Sequence, residues 1–136
     1  MIAQLRAVSK SYARPEGGEP SRVLVAADLA LAPGEVVAVV GVSGSGKTTL
    51  LNLLGCLDAP DSGAVVIDGQ DVAGLSDAAR AGLRARRIGF VFQQHRLLPQ
   101  CSAWENVLVP TLAPGAPSGD ATERARSLLI AVGLDE

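Results

Sequence analysis

The segment GVSGSGKTT, at residues 41–49, limits the possible folds of this chain more than any other stretch. It follows a valine-rich run at residues 35–40, a pattern typical of a strand buried on both faces of a parallel sheet. It precedes residues 47–56, where leucines recur at helical spacings with no glycine or proline until Gly55. A strand, a glycine-rich turn and a helix in this order predict an α/β fold with a parallel sheet.

The same segment satisfies the pattern G-x-x-x-x-G-K-[ST] of a phosphate-binding loop. Glycines let the backbone curl around phosphates, so that N–H groups and the helix N-terminus point at the anion. We expect Lys47 to reach the β- and γ-phosphate oxygens, Thr48 to bind Mg²⁺ between them, and Ser43 and Ser45 to add hydrogen bonds. The residues predicted to bind the nucleotide here are Gly41, Val42, Ser43, Gly44, Ser45, Gly46, Lys47, Thr48 and Thr49. The alternative is a glycine-rich turn with an incidental lysine.

Other patterns predict further strands and helices along the chain. Strands are predicted at residues 2–8, 22–32, 64–67 and 88–92, with a tight turn at Asp68 and Gly69. Helices are predicted at residues 77–86, where Ser76 is a candidate N-cap, and at 104–107. Residues 111–120 are rich in proline and glycine and predict a loop.

A final helix is predicted after Asp120, which with Glu123 resembles a capping box. Its predicted apolar face consists of Ala121, Ala125, Leu128 and Val132, and Gly133 is predicted to end it.

Composition excludes several classes of protein. The chain has 136 residues, 48% hydrophobic and 19% charged, with a net charge of -2, which predicts one soluble domain with no general attraction to nucleic acid. Its apolar runs fall short of the ~20 residues of a membrane helix, and its start lacks the apolar stretch of a secretory signal. Cys56 and Cys101 are predicted to be reduced thiols of the core type.

Several separate segments resemble the ATP-binding subunits of ABC transporters. They are AVSKSY at residues 7–12, the long stretch at 31–72, and IGFVFQQHRLLP at 88–99, which matches the Q-loop. The resemblance implies that Tyr12 stacks on adenine, that Gln93 contacts Mg²⁺ and the attacking water, and that the residues just after Gln93 face a transmembrane partner. It covers residues 5–133.

The resemblance also implies an architecture and a cellular setting. Residues 1–136 would be a single, C-terminally truncated ATP-binding domain: the start of a β subdomain at 1–34, a RecA-like parallel-sheet core at 35–109, and a loop with the start of a helical subdomain at 110–136. The segments LLGCLDAPDSG, LSDAARAGLRARRIGFVFQ and SAWENVLVP look most like exporters of lipoproteins or macrolides, and like a cell-division relative of that group. Such subunits work as homodimers under a permease, at the cytoplasmic face of the inner membrane.

Other parts of the ABC pattern do not occur in the sequence. It contains no LSGGQ signature, no apolar strand ending in the Mg²⁺-linked Asp with an adjacent catalytic Glu, and no switch His. With only Lys47 and Gln93 as catalytic candidates, we expect weak Mg²⁺-ATP binding without useful hydrolysis. Unpaired edges of the parallel sheet predict marginal stability or aggregation. The alternatives are a non-hydrolysing remnant that binds nucleotide or a partner, and a P-loop kinase or GTPase.

Individual residues also have structural alternatives. Tyr12 could cover a strand edge, and Gln93 could cap its loop. His95 is expected to be exposed or partner-facing rather than a general base. Trp104 is interpreted either as part of a short helix facing the membrane subunit or as a core anchor. The arginines of the 77–86 region are expected to form a solvated helix end; they are Arg80, Arg84, Arg86 and Arg87.

Overall fold

The computed structural model describes residues 1–94, 96–113 and 119–134. The chain divides into two compact units, Met1–Arg80 and Ala81–Glu136. The prediction for His95 and that for the middle of the proline- and glycine-rich loop fall outside the described residues.

The first unit contains a four-stranded antiparallel sheet. Its strands are β1 (Ala3–Tyr12), β2 (Ser21–Leu31), β3 (Ser62–Ile67) and β4 (Gln70–Asp71). They lie in the order β2-β1-β3-β4. Positive φ angles of 50° at Asp68 and 80° at Gly69 form the tight turn between β3 and β4, as two-residue hairpins require. The strands predicted at residues 2–8, 22–32 and 64–67 are therefore confirmed.

A bulge in β1 keeps its apolar residues on one face. Leu5 and Val8 are both buried although three positions separate them, because the register with β2 and β3 shifts between them. The Ala7 N–H group donates to Asp28 Oδ1 at 2.9 Å and so holds the bulge. Gly63 of β3 crosses it so closely that a Cβ atom there would lie 2.5 Å from the Ala7 carbonyl oxygen. Only glycine fits at this crossing.

The core of the first unit lies between the sheet and a single helix. This helix, α1 (Lys47–Leu54), begins where the sequence predicts and contacts β1, β2 and β3. The buried apolar residues of the unit are Leu5, Val8, Leu24, Leu53, Cys56, Val65, Ile67 and Val72. Cys56 is buried and Cys101 is half-buried, and no disulfide joins them. The prediction of core-type thiols is confirmed for Cys56.

The later helices begin after polar caps, of which Ser76 and Asp120 are the predicted ones. They are α2 (Asp77–Arg87), α3 (Ala103–Leu108) and α4 (Ala121–Ala131), with a 3-10 turn at Val109–Leu112. The Ser76 hydroxyl accepts a hydrogen bond from the Ala79 N–H group, and Ser102 forms a full capping box with Glu105. The loop predicted at residues 111–120 is wrong at its start, since Thr111 lies in the 3-10 turn.

The predicted apolar face of α4 is buried only in part. Asp120 accepts a hydrogen bond from the Glu123 N–H group, as predicted, and Ala125 is buried. Leu128 and Val132, however, are exposed. The helix that contacts α4 is α3, which has six residues and is too short to cover the whole face. Gly133 ends the helix with a φ of 75°.

The strands predicted at residues 35–40 and 88–92 are not formed in the described part of the chain, and no parallel pairing occurs there. Val36 is 96% exposed, Val40 is 86% exposed and Val91 is fully exposed. A strand that is buried on both faces of a parallel sheet needs a neighbour on each side. Composition favours a strand at both segments, but within the described residues neither segment pairs with a neighbouring strand.

Among the described residues, no helix has both the length and the apolar character needed to cross a membrane.

Candidate phosphate-binding loop

The glycine-rich loop ends on the N-terminus of α1. Gly46 occupies the N-cap position with a φ of 89°, and no described side chain caps the helix. The N–H groups of the first helical turn, Lys47, Thr48 and Thr49, have no acceptor within the helix. The positive end of the helix dipole lies at the same place. This end of α1 can therefore receive an anion.

Gly46 fixes the position of the loop on the sheet. A Cβ atom there would lie 3.1 Å from the Val23 carbonyl oxygen and 3.2 Å from a methyl group of Leu24. Because both neighbours belong to β2, the loop lies directly against that strand. Glycine at this position thus allows both the left-handed φ and the close approach.

The Lys47 side chain folds back over its own loop. Its Nζ atom donates hydrogen bonds to the carbonyl oxygens of Gly41, at 2.8 Å, and Val42, at 2.6 Å, and lies 3.4 Å from Ser45 Oγ. These oxygens hold the ammonium group over the loop, next to the first turn of α1. A positive charge and unpaired N–H donors therefore lie together.

The two threonines of the loop have different surroundings. Thr48 is exposed, whereas Thr49 is 8% exposed and belongs to the interior. Of the two threonines, only Thr48 therefore offers an exposed hydroxyl beside the anion site, which fits Mg²⁺, since that ion usually takes few protein ligands and completes its shell with phosphate oxygens and water. Ser43 and Gly44 are exposed as well, so the outer rim of the loop is open to a ligand.

Tyr12 lies at the end of β1 and is 38% exposed. Its hydroxyl donates a hydrogen bond to Asp58 Oδ2 at 2.8 Å. Tyr12 pairs with Ser21 of β2, two residues before Val23, where Gly46 touches the strand. Two residues of a strand span about 7 Å. Tyr12 and the phosphate-binding loop therefore lie side by side along β2.

Asp58 also forms an ion pair with Lys10. The Lys10 Nζ atom lies 2.8 Å from Asp58 Oδ1, 2.7 Å from the Ala59 carbonyl oxygen and 3.7 Å from Asp61 Oδ1. Burial alone would lower the pKa of Lys10, but the hydrogen bond and charge of Asp58 outweigh it, and the pKa is raised. Burial would likewise raise the pKa of Asp58, but hydrogen bonds from Lys10 and Tyr12 lower it. Both groups are therefore charged near neutral pH.

This ion pair is not among the predictions from the sequence. Lys10 and Tyr12 are two residues apart on one strand, so their side chains share a face, and that spacing is the one local signal. Asp58 lies 48 residues away from Lys10 and comes close only through folding.

Gln93 belongs to the second unit and is exposed, in a segment without helix or strand. Just before it, the rings of Phe90 and Phe92 stack with their centroids 5.5 Å apart, and the Arg96 guanidinium group lies 4.8 Å from the Phe92 ring. The predicted roles of Gln93 toward Mg²⁺ and water remain predictions.

Asn106 of α3 is a second residue whose role no sequence pattern predicts. Its side-chain oxygen accepts from the Leu98 N–H group at 2.8 Å, and its nitrogen donates to the carbonyl oxygens of Leu98, Cys101 and Ser102 at 3.1, 3.1 and 3.0 Å. Asn106 thus joins the loop that follows Gln93 firmly to α3.

Trp104, on the same helix, is half-buried and lines an open cleft of about 810 Å³ between α3 and α4, together with Arg126 and Ile130. It is therefore not a fully buried core anchor. The arginines of α2 include Arg86 and Arg87, which are exposed, and Arg80, which pairs with Asp77. The expected solvated end of α2 agrees with this arrangement.

Known proteins match both the sequence and the fold. The chain is 56% identical over 127 residues to the lipoprotein-releasing system ATP-binding protein LolD 1 of Rhodopirellula baltica, which covers 93% of this chain and 55% of that protein. It is 48% identical over 137 residues to the macrolide export ATP-binding/permease protein MacB of Syntrophobacter fumaroxidans, covering 99% of this chain and 19% of that protein.

A solved structure also matches: the dimeric post-hydrolysis state of the ATP-binding cassette MJ0796 bound to ADP and Pi. It has a TM-score of 0.84 and 40% sequence identity, and the match covers 99% of this chain and 59% of the cassette. The α/β fold class is thereby confirmed. The chain spans little more than half the length of LolD 1 and of this cassette. A family profile described as ABC transporter matches residues 24–136, and the chain belongs to the ABC transporter family.

Proposed function

We propose that this chain binds Mg²⁺-ATP and is the nucleotide-binding part of an ABC transporter ATPase. The observation that carries the proposal is the Lys47 ammonium group, held over the loop by the carbonyl oxygens of Gly41 and Val42 beside the first turn of α1. Positive charge and N–H donors at one helix N-terminus suit a polyphosphate.

Each part of the loop has its own role in the proposal. Lys47 contacts the β- and γ-phosphate oxygens, and the Thr48 hydroxyl binds Mg²⁺, which neutralises phosphate charge. Ser43 and Ser45 donate hydrogen bonds to the terminal phosphates, and backbone N–H groups surround the rest. The binding residues proposed are Gly41, Val42, Ser43, Gly44, Ser45, Gly46, Lys47, Thr48 and Thr49.

Two residues outside the loop also have proposed roles. Tyr12 stacks on the adenine base, and support for this role comes from its partial exposure and from its position beside the loop along β2. Gln93 orients the attacking water and contacts Mg²⁺, a role that rests on the Q-loop resemblance.

For the whole protein we propose ATP-driven export through a permease subunit, with two ATP-binding subunits acting as a homodimer at the cytoplasmic face of the inner membrane. The similarity to LolD 1 and to MacB supports lipoprotein release or macrolide export, and the dimeric cassette supports the homodimer.

Binding of ATP to the purified chain, measured by isothermal titration calorimetry, tests the proposal. Lys47→Ala removes the charge over the loop, so we expect ATP affinity to fall about 10- to 100-fold. Arg14→Ala, which removes an exposed cation in the β1–β2 connection, is the matched control and should bind as the unchanged chain does. Equal affinities for Lys47→Ala and the unchanged chain would contradict the proposal, and tighter binding of GTP than of ATP would favour another class of P-loop protein.

Steady-state phosphate release provides a second test. The sequence lacks the catalytic Glu and the signature, so we expect the chain to bind ATP without turnover. Turnover that Lys47→Ala abolishes would contradict this expectation.

A further inference from the structure

Asp58 is the partner of the exposed aromatic ring at the end of β1. Its Oδ2 atom accepts the hydrogen bond from the Tyr12 hydroxyl, while its Oδ1 atom accepts from Lys10 Nζ at 2.8 Å and from the Ala59 N–H group at 2.7 Å. Both carboxylate oxygens therefore have donors, and the carboxylate has a fixed orientation. A fixed acceptor at the hydroxyl end restricts the rotation of the ring.

Lys10 is bound to protein rather than available to a ligand. Its side chain is 12% exposed, and its three partners, Asp58, Ala59 and Asp61, all lie in the segment after α1. The ammonium group also lies 5.2 Å from the centre of the Tyr12 ring, within the range of a cation–π contact. Lys10 thus restrains both the carboxylate and the ring.

We infer that Asp58 and Lys10 are positioning residues that hold the Tyr12 ring in the orientation in which it receives a nucleobase. The inference rests on the proposed function, because it assumes that a nucleotide occupies the loop. A ring ordered before binding loses less conformational entropy when the base stacks on it. The two residues act through Tyr12 and do not touch the nucleotide.

The same contacts also join β1 to the segment after α1, so the pair has a structural role as well. The two roles differ in which ligands they affect. Ring orientation matters to a ligand with a base, such as ATP, and not to Mg²⁺-tripolyphosphate, which offers phosphates alone. A merely structural role changes the affinities of both ligands together.

The experiment compares the dissociation constants of Mg²⁺-ATP and Mg²⁺-tripolyphosphate by calorimetry on the purified chain. Asp58→Asn removes the charge, and Tyr12→Phe keeps the ring but removes its hydroxyl. If Asp58→Asn does not fold, Tyr12→Phe still tests the hydrogen bond between the two residues. We expect each to weaken ATP binding about three- to tenfold and to leave tripolyphosphate binding within about twofold. Tyr12→Ala should weaken ATP binding about 10- to 100-fold. Asp77→Asn, the charge-matched control, alters a carboxylate that forms an ion pair with the nearby Arg80, and this variant should bind both ligands normally.

Three results would overturn the inference. The first is unchanged ATP affinity in both Asp58→Asn and Tyr12→Phe. The second is an equal loss of ATP and tripolyphosphate affinity, which identifies a structural role alone. The third is full ATP binding by Lys47→Ala, which overturns the proposed function itself. This result can be distinguished from the first two because it concerns the phosphate-binding loop and not the Tyr12 ring.

Discussion

The antiparallel sheet and the two segments at residues 35–40 and 88–92 all contain valines, but these valines have different surroundings. Val8 and Val65 of the sheet are fully buried, whereas Val36 and Val91 are almost fully exposed. In the sheet, β1 lies between β2 and β3, so its strand neighbours come from within the described chain. The comparison shows that β-type composition produces a buried strand only where partners are available.

The largest difference between the sheet and the exposed segments should be seen in the loss of unfolding free energy when a side chain is truncated. Leu5→Ala leaves a cavity under α1, and we expect the free energy of unfolding to fall by about 2–5 kcal/mol. Val36→Ala removes methyl groups that contact mostly solvent and should change it by less than about 0.5 kcal/mol. Urea denaturation followed by circular dichroism measures both. A loss of similar size for Val36→Ala would show that the segment is packed in solution.

The next largest effect on stability is expected for a substitution at the point where β3 crosses β1. Gly63 has a φ of 86°, and an alanine Cβ would meet backbone atoms of Arg6 and Ala7, so Gly63→Ala should cost at least ~2 kcal/mol of unfolding free energy. Gly74→Ala is the matched control, since a Cβ atom there has no neighbour within 4 Å. Equal stabilities of these two variants, measured by thermal denaturation, would argue against the bulge geometry.

The Lys10–Asp58 pair should give the sheet a pH dependence of about 1 kcal/mol. Burial opposes ionisation of Asp58, but the bound donors lower its pKa, so its contribution is present above the ordinary carboxyl pKa and is lost as pH falls below about 4. The pKa of Lys10 is raised despite burial, so its contribution is present at neutral pH and is lost only above about pH 10.

Denaturation of the unchanged chain and of Asp58→Asn between pH 6 and about pH 3 tests the predicted loss of the Asp58 contribution at low pH. The stability gap between the two should narrow as pH falls. A stability difference that stays constant with pH would mean that folding does not change the pKa of Asp58.

Substitutions in the exposed segments should have the smallest effect on stability but a measurable effect on solubility. Val91→Lys places a charge on a fully exposed apolar site and should slow aggregation while changing the unfolding free energy by less than about 0.5 kcal/mol. Light scattering on heating measures the aggregation. Val65→Lys, at a buried site, should instead unfold the sheet.

Local signals predicted most of the helices and the antiparallel strands. Ser76, Ser102 and Asp120 cap helices because a cap needs only a polar side chain three residues before an N–H group. The strand predicted at residues 35–40 is not formed. Strand pairing depends on a second segment of the chain, and local composition does not indicate whether such a partner is available. The partial burial of α4 has the same cause.

The candidate site shows the same division. The position of Lys47 at the start of α1 follows from the spacing of the glycine-rich loop, whereas its hydrogen bonds to the carbonyl oxygens of the loop are not among the predictions from the sequence. The Tyr12–Asp58 hydrogen bond joins residues 46 positions apart, and no local pattern indicates it.

The close approach of Gly46 to β2 connects ligand binding with folding. Since the loop lies directly on Val23 and Leu24, it can keep its shape only while that strand is in the sheet. By mass action, any polyphosphate that binds the folded loop and not the unfolded chain raises the melting temperature of the whole first unit. The cellular nucleotide pool would in this way act as a folding cofactor for β2.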